Sequence, residues 1–359
     1  MPNFPVTECF AYWRALELGS REIIEGLVAP EHAGPSPKLS SYLARWDGYH
    51  YWQRAQDGDW LVLVHEREPA RERWWLHVAL FIATIVTTSV GGAMFAGTVD
   101  PWRLATFLHP RAGFAFSLPL LAILLAHESG HYVTARRYRV DASPPYFIPF
   151  PAGLDLIGTL GAFIRLRSPM FDRRTLFDIG VAGPLAGIVI AIPVLLFGLH
   201  TSTALPALET GRFAHQFARF NGDPVLFGDS LLFLACRAVM GIHGMVELSP
   251  LAVAGWVGIF VTSLNLLPLA QLDGGHVAFA MFPGAQRFVA RTMWVLLIPL
   301  GLVWSGWWFW AVLSLVIGRG RLVHPPVVAP ERGLDSRRQL VGWLAAALFL
   351  LTFMPLPIV

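Results

Sequence analysis

The chain has 359 residues, 55% of them hydrophobic and only 14% charged, and a mean hydropathy of +0.52. A soluble all-helical core is excluded: its helices need polar stripes at a period near 3.6 residues, and the run LIPLGLVWSGWWFWAVLSLVIG over 297–318 is apolar on every face. The formal net charge of +3 comes from arginines clustered between apolar runs, which points to the lipid bilayer surface as partner and not to nucleic acid.

In chain order, the N-terminus shows no basic stretch leading into an apolar one, so no cleaved signal peptide is expected. Residues 1–72 read as a small domain, with a helix over 8–27, the loop APEHAGPSPKLS and two short strands around Asp57-Gly58-Asp59. Only Cys9 and Cys236 are present, so neither a disulfide framework nor a cysteine zinc site is implied. Residues 73–359 read as a membrane domain. A bilayer-crossing helix needs roughly 20 apolar residues, and candidate spans fall at about 74–97, 113–136, 175–199, 251–272, one or two within 288–318, and 339–357. The expected fold is an α-helical polytopic membrane protein with six or seven transmembrane helices. Arg287 and Arg291 on one flank of 288–318, with Arg319 and Arg321 on the other, favour a hairpin turning near Ser305-Gly306. Trp304, Trp307, Trp308 and Trp310 read as an interfacial belt.

Between the second and third spans, Arg136, Arg137, Arg139, Arg165, Arg167, Arg173 and Arg174 stand against Asp141, Asp155 and Asp172, whereas the linkers near 98–112 and 200–250 are close to charge balance. The positive-inside rule therefore places the arginine-rich linker, and the N-terminal domain with it, in the cytoplasm. Within that linker PPYFIPFP and LIGTLGAFIRLR have the aromatic and β-branched content of strands, while Pro144, Pro145, Pro149 and Pro151 forbid a helix. They predict a short β-hairpin at the cytoplasmic membrane face, with residues 146–150 as its open edge.

The chemistry lies inside the second span, where His127-Glu128-Ser129-Gly130-His131 fits H-E-x-x-H. On a helix, positions i and i+4 share a face, so both imidazoles can reach one Zn²⁺ while the glutamate reaches a water beside it. Ionisable groups at this depth cost about 3 kcal/mol each unless paired or metal-bound, which makes three together a functional hypothesis. A catalytic zinc takes three protein ligands and keeps one open position. The third candidate is Asp273 in NLLPLAQLDGGH, where Pro268 and Gly274-Gly275 loosen the helix and free the carboxylate to turn inward. His276 reads as a neighbour of the ligand set and not as a fourth ligand, since that would close the open position.

HESGH at 127–131 together with NLLPLAQLDGG at 265–275 closely resembles the site-2 protease family of intramembrane zinc metalloproteases, whose signatures are H-E-x-x-H and N-x-x-P-x-x-x-L-D-G. The resemblance covers about 113–285 and includes FDIGVAGPLAG at 177–187, where Gly180, Gly183 and Gly187 suit close helix approach. It implies a three-helix catalytic core holding one zinc per chain through His127, His131 and Asp273. It also implies Glu128 as general base and Asn265 as a group steadying the substrate carbonyl or oxyanion. With a 200–250 linker this short and about 40 residues after 318, neither a PDZ domain nor CBS domains are expected.

The resemblance further implies regulated intramembrane proteolysis: cleavage within or near the membrane helix of a single-span regulatory protein, in bacterial relatives commonly an anti-sigma factor. A metal-ion transporter also places His and Asp in spans, yet has no need of a glutamate beside the first histidine. A catalytically silent family member is the other alternative, and the retention of Glu128 and of every ligand argues against it. An arginine-rich chain with Lys38 as its single lysine suggests a GC-rich bacterium, hence a bacterial inner membrane with a cytoplasmic N-terminus.

Overall fold

The computed structural model describes residues 4–18, 21–34, 36–55, 58–66, 72–97, 113–138, 140–167, 170, 172–205, 215–269, 271–318, 320–324, 327 and 333–359. Asp57 of the expected turn, the 98–112 linker, Arg139 and Arg319 lie outside the described residues.

A single helical turn, α1 (Val6–Cys9), leads into an antiparallel sheet of β1 (Phe10–Leu18), β2 (Arg21–Val28), β3 (Tyr49–Ala55) and β4 (Gly58–Glu66), in the order β1-β2-β4-β3. The two strands on either side of position 58 are as expected. The helix expected over 8–27 is instead the β1–β2 hairpin. Along β2 every second residue, Glu22, Ile24, Gly26 and Val28, is buried, and this period of two fits a strand with one covered face. The stretch expected as a loop also holds a helix, α2 (Pro37–Ala44), started by Ser36, whose hydroxyl accepts the Leu39 N–H at 3.3 Å. Its Leu39 packs with Trp46, Leu61 and Leu63 in a core of this segment's own.

Helices then occupy every expected span: α3 (Trp74–Phe95), α4 (Phe114–Arg137), α5 (Arg173–His200), α7 (Pro250–Asn265), α9 (Gln286–Val303) with α10 (Gly306–Ile317), and α11 (Ser336–Thr352). The α9–α10 pair breaks at Trp304-Ser305, where a hairpin is expected. The fourth span is shorter than 251–272: α7 ends at Asn265, and after the Pro268 break a separate helix, α8 (Asp273–Met281), begins. Among the described residues α3, α5 and α9 are long and apolar enough to cross a membrane, while α7 and α10 are apolar but shorter. The chain is therefore mostly helical with three candidate membrane-spanning helices, together with small sheets.

Two further sheets flank α5 in sequence and meet where Ala152, between the two strands of the earlier sheet, packs with Met94 and with Phe220 of the later one. After the C-terminus of α5, β7 (Thr203–Leu205), β8 (Gln216–Phe220), β9 (Asp223–Phe227) and β10 (Met245–Glu247) form a mixed sheet beside α6 (Leu231–Val239). Before its N-terminus, β5 (Tyr146–Pro149) and β6 (Thr159–Phe163) form the expected hairpin. The expected open edge at 146–150 is corrected, because β5 is seated on α3. His77 Nδ1–H donates to the Pro145 carbonyl at 3.1 Å, the His77 and Tyr146 rings lie 4.1 Å apart, and Phe81 meets Phe147 at 4.8 Å. The chain leaving β6 is tied down by Arg167, which is 2.6 Å from Glu72 and 3.6 Å from Asp141. The Arg167 guanidinium holds the Glu72 carboxyl below its ordinary range.

Candidate metal centre

The core of the membrane region is built from α4, α5 and α7, with Phe116, Leu120, Leu195 and Ile259 all fully buried at their junctions. Small residues set the spacing. A Cβ on Gly130 would lie 2.5 Å from the Ala182 carbonyl oxygen, so α4 and α5 touch backbone to backbone there. Three residues before that contact and one residue after it, α4 directs His127 and His131 onto α5, where Gly187 faces the His127 ring and Gly183 the His131 ring. Two of the three expected small-residue positions thus admit the two imidazoles. The third, Gly180, admits α8: a Cβ there would lie 2.8 Å from His276 Cβ.

The break between α7 and α8 turns Asp273, the first residue of α8, toward the same point. His127 Nε2 and His131 Nε2 are 3.1 Å apart, and Asp273 Oδ2 lies 3.2 Å from each. Among the described residues this is the one group of three His, Cys, Asp or Glu side chains whose donor atoms converge so closely. The near-equilateral triangle fits zinc: tetrahedral ligands about 2.0–2.2 Å from the ion are separated by about 3.3–3.6 Å. The donor types agree as well. His131 Nδ1 lies 2.7 Å from the Ile179 carbonyl, and since a carbonyl only accepts, Nδ1 carries the proton and Nε2 presents its lone pair to the triangle.

Glu128, 6% exposed, lines the same cavity of about 180 Å³ with the three donors, Asn265 and His276. The opposite wall is Ala162, Phe163 and Ile164 of β6 and its exit, and the Ile164 backbone N–H faces the Glu128 carboxylate. The strand edge beside the chemistry is therefore β6, not β5. Asn265 ends α7 with its amide nitrogen 3.3 Å from His127 Nε2, close enough to reach a group placed on the donor triangle. All five expected site residues, His127, Glu128, His131, Asn265 and Asp273, are thus brought together.

Two groups that hold α8, the helix bearing Asp273, carry no signal in the sequence. His324, from the chain after α10, is 2.8 Å from His276 Nδ1 and stacks near Phe279. Arg173, at the start of α5, grips the far end of α8. No local signal marks either, because their partners lie 48 and 107 residues away.

Residues 115–304 match the model of peptidase family M50. The chain is 31% identical over 319 residues to "Probable zinc metalloprotease EGY1, chloroplastic" of Arabidopsis thaliana, covering 80% of this chain and 55% of that protein. It is 35% identical over 269 residues to the protein of the same name from Oryza sativa subsp. japonica, covering 66% and 45%. To "Probable zinc metalloprotease EGY2, chloroplastic" of Arabidopsis thaliana it is 27% identical over 252 residues, covering 68% and 42%. The chain thus spans about half the length of the curated relatives it matches. No solved structure matches it. The relatives correct the expected location: they are chloroplastic by name, which overturns the expected bacterial inner membrane with a cytoplasmic N-terminus. Arginine bias reports which ends of the helices share a side, and not which membrane holds them.

Proposed function

Because the chain belongs to peptidase family M50, we propose that it is a membrane-embedded zinc endopeptidase that hydrolyses a peptide bond within or near the transmembrane helix of a single-span membrane protein. The observation that carries this reading is the convergence of His127 Nε2, His131 Nε2 and Asp273 Oδ2 in one cavity with Glu128. In this reading residues 1–72 are a small domain appended to a membrane domain of 73–359. Its catalytic core is about 113–285, and α4, α7, α10 and α11 complete six or seven spans with α3, α5 and α9.

His127, His131 and Asp273 would hold one zinc ion, which would supply Lewis acidity to the substrate carbonyl and to an attacking water. Glu128 takes a proton from that water as the new C–O bond forms, and returns it to the amine nitrogen as the C–N bond breaks. Asn265 donates from its amide to the substrate carbonyl oxygen, a contact that strengthens as charge develops there. A helical substrate hides its carbonyls in its own hydrogen bonds, and opening it in hydrocarbon costs several kcal/mol per unsatisfied group. The β6 edge, Thr159–Phe163, offers replacement main-chain partners beside Glu128. The Glu72–Arg167 pair, which ties the chain leaving β6 to the chain entering α3, keeps that edge in place.

The test is cleavage of candidate single-span proteins by the wild type and by Glu128→Gln, reconstituted side by side in lipid vesicles with zinc content measured on both. The proposal expects zinc in both and fragments from the wild type alone. Equal fragment yield would overturn it.

A further inference from the structure

We propose that Arg173 is a positioning residue: by gripping the C-terminus of α8 it sets where the Asp273 carboxylate stands. This inference rests on the metal-site reading above. Arg173 Nε donates to the Ala280 carbonyl at 2.9 Å, and Nη2 donates to Ala280 at 2.5 Å and to Met281 at 3.4 Å. These are among the last carbonyls of α8, which have no partner within their own helix, and a cation there also meets the negative end of the helix dipole.

The rest of the geometry makes that grip matter at the metal. The two histidines stand together on α4, but the carboxylate comes from a separate helix of nine residues that follows a break in the chain. The start of α8 has no side-chain cap: its N-cap is Leu272. Asp273 is its first residue, so a slide or tilt of α8 moves the carboxylate directly. Helix α8 is held by His324 at His276, by α11 at Met281, where a Cβ on Gly342 would lie 2.3 Å from Sδ, and along its length by one face of α5. Gly180 meets it at His276, with a Cβ there 3.5 Å from the Asp273 carbonyl oxygen; Phe177 packs on Val277 and Ala280; and Arg173 closes its far end. The same helix carries Gly183 and Gly187 against the two histidine rings. Helix α5 is thus the common reference for all three donors, and Arg173 is its polar hold on the segment that brings the third.

Metal sites tolerate displacements of about 0.2 Å, and loss of an outer orienting partner typically weakens metal binding 10- to 100-fold. The experiment compares full-length wild type, Arg173→Met and Arg173→Lys in lipid nanodiscs, by competition for zinc against a chromophoric chelator. Trp307→Phe, which removes an N–H donated to the Pro355 carbonyl at 2.8 Å in α10, serves as a control that lowers thermal stability without touching α8. The expected result is zinc affinity reduced at least about tenfold in Arg173→Met and partly restored in Arg173→Lys, whose single ammonium replaces the forked contact incompletely. The control should bind zinc as the wild type does. If Arg173→Met fails to fold, an intermediate affinity in Arg173→Lys carries the result. Wild-type affinity in whichever of the two variants fold would overturn this inference alone; a wild type that binds no zinc would overturn the metal-site reading together with it.

Discussion

Gly183→Ala tests how the histidines are seated. A Cβ at this position would fall on the His131 imidazole, 2.5 Å from Cε1 and closer still to Nε2 and Cδ2. The nearest atom, Nε2, would be at 2.0 Å and ordinary contact begins near 3.4 Å, so the ring must retreat by about 1.4 Å. Retreat with its helix would pull α4 off α5 and open the close packing at Gly130 and Ala182, so the ring itself is displaced. That displacement is several times the tolerance of a metal–ligand bond, and overpacking of this kind costs about 1–3 kcal/mol in stability. Gly187→Ala is the internal comparison. Its Cβ would lie 3.2 Å from His127 Nδ1 and 3.3 Å from His127 Cβ, a mismatch of about 0.2 Å, which a small ring adjustment absorbs. Chelator competition on both variants should show zinc affinity falling at least about tenfold for Gly183→Ala and only slightly for Gly187→Ala. Cleavage should fall in the same order. Wild-type zinc binding by Gly183→Ala, or a larger loss in Gly187→Ala, would refute the placement of the rings.

Glu128→Gln should keep the fold and the zinc while cleavage falls on the order of 10²- to 10⁴-fold, as read from fragment yield over time. Asn265→Ala should lower kcat with little change in zinc content, checked by single-turnover cleavage and metal analysis. Ala162→Pro, which removes an N–H from the β6 edge, should depress cleavage with zinc retained, and crosslinks from a cysteine at 162 should map to the substrate near its cut site. Acid should loosen the hairpin. Because Arg167 holds the Glu72 carboxyl below its ordinary value, the contribution of the pair is in force above the ordinary glutamate range and is lost as pH falls through the lowered value. Hydrogen exchange at β5–β6 should therefore accelerate below about pH 4 and should already be fast at neutral pH in Arg167→Met.

The site was legible because its parts are local in sequence. His127, Glu128 and His131 fall within a span of five residues, so helical periodicity alone gathers them. Asp273 stands where Pro268 and the glycine pair break an apolar run, and the break is what the structure uses to turn it inward. The positions of the three candidate membrane-spanning helices were legible for a similar reason, since hydrocarbon thickness imposes a length. The β1–β2 hairpin was not, because FAYWRALEL and REIIEGLV mix helix formers with strand formers, and pairing with β4 decides between them. Which hairpin strand faces the cavity was also hidden. That depends on the seating of Tyr146 and Phe147 against His77 and Phe81, contacts set between distant segments. His324 and Arg173 belong to the same class, side chains whose role exists only once α8 has packed on α5.

In the proposed reaction one zinc, held by His127, His131 and Asp273, is what lets this chain cut a peptide bond in the membrane. The most direct test is stoichiometric reconstitution: strip the full-length protein of metal, place it in vesicles with a single-span substrate, and titrate zinc back while following fragment release. The account predicts no cleavage without metal, cleavage rising to a plateau at one zinc per chain, and no recovery at that stoichiometry in Asp273→Asn. Cleavage by the stripped protein, or recovery in Asp273→Asn at the same single equivalent, would contradict it.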